Sequence, residues 1–80
     1  MQEITKEYLY EIQTLIEQGE ERSLVAHLDD LHETDIALIL NQLRRDDVSY
    51  AYRLLKDDIR PAVLSDVDDE VLEEILSSLS

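Results

Sequence analysis

Six carboxylates crowd one short stretch of the chain: Asp66, Asp68, Asp69, Glu70, Glu73 and Glu74. Carboxylate oxygens are the donors that hard divalent cations prefer. Magnesium keeps several of its waters, so one or two carboxylates from each side of an interface suffice to hold it. A self-contained calcium loop is a different matter. An EF-hand starting at Asp66 needs Gly at its sixth position and Glu at its twelfth, where this chain has Val71 and Ser77. Two readings stay open: a solvated helix start, and loose divalent binding by carboxylates shared with another domain. Between Asp57 and Glu74 there are eight acids against Arg60 alone, so the segment attracts cations in either case.

Other constellations carry less. His27 and His32 flank Asp29, Asp30 and Glu33. A zinc-binding pair on a helix wants spacing of i, i+3 or i+4, and HETDI is not HExxH. His27 is expected at the edge of the core and His32 in a turn. Arg44 and Arg45 form the only basic pair, and salt bridges to Asp46, Asp47 or neighbouring acids are expected of it. Catalysis has almost no support. The chain has no Cys and a single Gly, so a thiolate nucleophile, a glycine-rich phosphate loop and a Gly-flanked serine elbow are all excluded. The acids lie on polar faces, without the burial that raises the pKa of a general acid. The chain reads as a non-enzyme.

The balance of twenty acids against seven Lys and Arg gives a net charge of −13. Such a polyanion repels nucleic acid and anionic lipid, so neither is an expected partner. The N-terminal MQEITKEYLY lacks the pattern of a signal peptide. The longest apolar run is Ile36 to Leu40, far short of the roughly 20 residues that span a bilayer. A soluble chain in the cytosol is the default expectation. Hydrophobic residues at 44% are enough for a core, and without Trp or Phe that core must be mostly aliphatic.

Helices must position these groups. Ile4, Tyr8, Ile12, Leu15 and Ile16 fall on one helical face, which predicts a first helix from about Thr5 to Gln18. Gly19 sits where a helix end wants a left-handed residue. From Glu20 onward a period of twelve appears: Leu28, Leu40, Tyr52, Leu64 and Leu76 in one phase, Leu31, Leu43, Leu55, Val67 and Leu79 in another. Within each block the apolar offsets are i, i+3, i+4, i+7, as in Ile36, Ile39, Leu40 and Leu43. In one long helix a twelve-residue stripe would advance about 120° per repeat and bury nothing continuous. The chain must therefore break once per block.

Thr34 or Asp35, Asp46, Asp57 and Asp68 are the expected N-caps. Breaks are expected near Gly19, His32 to Asp35, Arg45 to Asp46, Lys56 to Asp58 and Val67 to Asp69. No segment alternates with period two, so no strands are expected. The expectation is an all-α, right-handed superhelix of about six short helices. Residues 1–19 form an amphipathic helix and 20–80 the repeat of one domain. The strict repeat positions Leu28, Leu40, Tyr52, Leu64 and Leu76 should form the core. The repeat runs in register to the last residues, which reads as a fragment whose last helix lacks its neighbour.

The segment LVAHLDDLHETDIALILNQL resembles the cytoplasmic N domain of MgtE-type magnesium transporters. The residues that carry the resemblance are Leu28, Leu31, His32, Asp35, Ile36, Ala37, Leu40 and Leu43. Leu54 and Leu55, the Ala62 to Val67 stretch, and Asp69, Glu70, Glu74 and Leu76 continue it, so that it covers nearly everything after Gly19. Glu33 stands where the family usually has Pro. A carboxylate of the family that precedes the Val-Leu pair falls on Ala62 here.

The resemblance implies a regulatory domain on the cytoplasmic side of a multi-pass membrane protein. It implies CBS domains and a transmembrane region of the same transporter as partners, in a homodimer. It also implies magnesium bound between acidic surfaces of the N and CBS domains, favouring the closed pore. The six carboxylates from Asp66 to Glu74 are then the candidate magnesium ligands. Similar short-helix repeats occur in FliG, the flagellar motor switch protein, which supplies the alternative reading of an interaction module without metal.

Overall fold

The first helix has both of its ends fixed locally. Thr5 Oγ1 accepts a hydrogen bond of 3.1 Å from the Tyr8 backbone N–H, satisfying one of the free donors at the start of α1 (Lys6–Glu17). At the other end Gly19 has φ +69°. Its N–H donates to the Ile16 carbonyl at 3.1 Å and the Glu20 N–H donates to Leu15 at 2.9 Å. These two bonds make a Schellman cap, which only a residue at ease with positive φ closes cheaply.

The structure is a computed structural model that describes residues 4–79. Five more helices follow α1: α2 (Glu21–Asp29), α3 (Glu33–Gln42), α4 (Arg45–Arg53), α5 (Arg60–Asp66) and α6 (Asp69–Leu79). Among the described residues there is no strand, and no helix is long and apolar enough to cross a membrane. Each helix is too short to persist alone, so packing must hold it. Helix α3 packs on α5, α4 on α6, and α1 on both α2 and α4. Ile12 of α1 is fully buried within the same core as Leu24, Ile36, Ile39, Leu40, Val63 and Ile75, so α1 shares its core with the helices that follow Gly19.

The two phases of the period-twelve pattern have different fates. Leu28, Leu40 and Tyr52 are buried, whereas Leu64 is half-buried and Leu76 is 51% exposed. The expectation of a core position therefore fails at Leu76. The described residues place no helix over that face of α6, whose buried residue is Ile75. In the second phase Leu31, Leu43, Leu55 and Val67 are all buried, and Leu79 is exposed. Those four lie at or just beyond the ends of α2, α3, α4 and α5. Each buries an apolar side chain at the link between two helices.

The caps also depart from expectation. His32 and Arg44, both in extended backbone (ψ 153° and 146°) and neither making a side-chain cap bond, precede α3 and α4. Helices α3 and α4 thus begin at Glu33 and Arg45, ahead of the expected caps. Asp35, Asp46 and Asp47 instead occupy first turns, where their charge favours the positive end of the helix dipole. Helix α5 begins later than expected, after Ile59, with Pro61 in its first turn. Asp57 pairs with Arg60 at 3.0 Å and caps nothing. Asp68 sits where expected: it immediately precedes α6 and its carbonyl accepts from the Leu72 N–H at 2.9 Å.

Candidate functional site

The six carboxylates are divided by the fold. Asp66 ends α5, Asp68 lies in the link, and Asp69 and Glu70 form the first turn of α6. Glu70, Glu73 and Glu74, spaced i, i+3, i+4, share one face of that helix. With Arg45 and Ser77 they line an open groove of about 190 Å³. Asp66, Asp68 and Asp69 are exposed and do not line it. Among the described residues no three of His, Cys, Asp or Glu are grouped so as to hold a metal ion.

Arg45 is the cation within this acidic groove. Its Nη2 donates to Glu70 Oε2 at 2.9 Å, tying α4 to α6. Both side chains are largely solvent-exposed (65% and 79%), so the pair adds little to stability. It does remove part of one carboxylate's charge from whatever approaches. Beside it, a hollow of about 80 Å³ is lined by Asn41, Leu43, Arg45, Val48, Glu70, Val71 and Glu74. Asn41 Oδ1 accepts from the Asp68 backbone N–H at 2.9 Å. This bond fixes the link into α6 and hence the place where the acidic face begins.

Neither Arg45 nor Asn41 stands out as a site residue from its neighbours in sequence. Their partners are 25 and 27 positions away. The one signal was Asn41 as a polar residue at the end of the apolar run of α3. Arg44 likewise reaches a distant acid, Glu17, at 3.5 Å. The arginine pair thus serves acids on other helices rather than Asp46 or Asp47.

The histidines separate. His27 Nδ1 lies 3.3 Å from the Tyr8 hydroxyl, with the two rings edge to face. Its Nε2 lies 3.7 Å from Glu11. Half-buried between α1 and α2, it sits at the core edge as expected. His32 is exposed at the start of α3, and Asp29 turns to Lys56 at 3.9 Å. The Tyr8 pKa is raised above the usual tyrosine value, first by burial and then by the charges of Glu11, Asp30 and Asp35. This cluster joins two helices.

No curated protein and no solved structure matches the chain. A family model does match, over residues 31–80, and it begins after α2 and spans α3 to α6. The likeness noted for Leu24 to Asp30 thus lies ahead of the matched region. The matching family is described as the MgtE intracellular N domain, and the chain belongs to it, the intracellular domain of MgtE magnesium transporters.

Proposed function

We propose that this domain senses magnesium and regulates transport through acidic contacts with CBS domains of the same transporter, on the cytoplasmic side of the membrane. The observation that carries the reading is the face of α6: Glu70, Glu73 and Glu74 line one open groove in a chain of net charge −13. Asp66, Asp68 and Asp69 are exposed outside that groove and add to the negative charge of the α5–α6 segment. The donors fit magnesium in kind, since they are carboxylate oxygens, and fit it as half of a site. The ion keeps waters and takes its remaining ligands from the partner.

The energetics follow from the charges. Two carboxylate surfaces repel at close range until a divalent cation neutralises them. High magnesium then favours the docked arrangement and low magnesium the separated one. The domain supplies one surface, the CBS domains the other, and the pore of the homodimeric transporter reads the difference. The motor-switch alternative loses its footing because the matching family is the transporter's N domain.

The test uses titration calorimetry and melting curves on this chain and on a longer protein that adds the CBS domains. The eighty residues should bind magnesium weakly, and millimolar magnesium should raise their melting temperature modestly. Sodium at matched ionic strength should reproduce part of that rise by screening. In the longer protein the magnesium effect should be larger and ion-specific, because an ion that binds only the docked form stabilises it. Tight binding by this chain alone would place a complete site within it. An equal response to sodium and magnesium in the longer protein would remove the sensor role.

A further inference from the structure

We draw no further inference here: the strongest candidate, the exposed apolar pair Leu76 and Leu79 along the outer face of α6, is an unpartnered face and nothing in the structure shows what covers it.

Discussion

Helices α3 and α6 share a local sequence logic and meet different surroundings. Each opens with acids in its first turn (Glu33 and Asp35, Asp69 and Glu70). Each then carries an Ile-Leu pair, and the pairs are 36 residues apart: Ile39 with Leu40, and Ile75 with Leu76. In α3 both are fully buried. In α6 Ile75 is fully buried and Leu76 is 51% exposed. Helix α3 has α4 and α5 against it, and α6 has mainly α4. The difference teaches that the repeat sets which face of a helix is apolar, while neighbours decide how much of that face leaves water. It also explains why the acids of α6 are available: Glu70 and Glu73 are exposed on a helix clamped mainly from one side.

The largest effect should come from the covered pair. Leu40→Ala removes a fully buried side chain and should cost about 2–5 kcal/mol, enough to unfold much of so small a domain. A chemical melt showing under about half a kcal/mol would place Leu40 outside the core and erase the contrast.

Ile75→Ala is the sharper probe. Ile75 lies on the exposed-faced helix yet is itself fully buried, so the change should cost about 2–4 kcal/mol. A loss comparable to that of a surface site would mean that α6 is not held on α4.

Leu76→Ala, one residue on, should cost less than about 1 kcal/mol, since half of the side chain already faces water and no cavity forms. Denaturation of the two variants side by side tests the comparison within one helix. Equal losses would show that the outer face is covered in solution.

Much of this architecture is legible in the chain. The stripe of Ile4, Tyr8, Ile12 and Leu15 and the lone Gly19 give α1 almost to the residue, because both caps are local bonds. The starts of α3 and α4 are less legible. Their preceding residues, His32 and Arg44, make no side-chain cap bond, so the choice rests on backbone geometry and on burial of Leu31 and Leu43. The start of α5 depends on Arg60, whose guanidinium donates to the Arg53 carbonyl at 2.7 Å, pairs with Asp57 and stacks over Tyr52. No reading of adjacent residues gives that arrangement.

For the candidate site, helical spacing finds Glu70, Glu73 and Glu74 on one face. It does not separate them from Asp66, Asp68 and Asp69, which are as acidic and as near in sequence. That division depends on where α5 stops and α6 starts, and so on the Asn41 bond to Asp68. Arg45 enters the groove because α4 packs on α6, a tertiary fact.

The central claim is that the carboxylates of α6 answer to magnesium when CBS domains are present. It is tested most directly by neutralising Glu70, Glu73 and Glu74 together as Gln in the CBS-containing protein. The measurement is the rise in melting temperature on adding magnesium, relative to sodium at equal ionic strength. The magnesium-specific part should fall to less than about half while the metal-free protein stays folded, since Glu70 and Glu73 are exposed, Glu74 is half-buried, and such surface charges add little to the fold. A magnesium-specific rise as large in the triple variant as in the unaltered protein would contradict the claim.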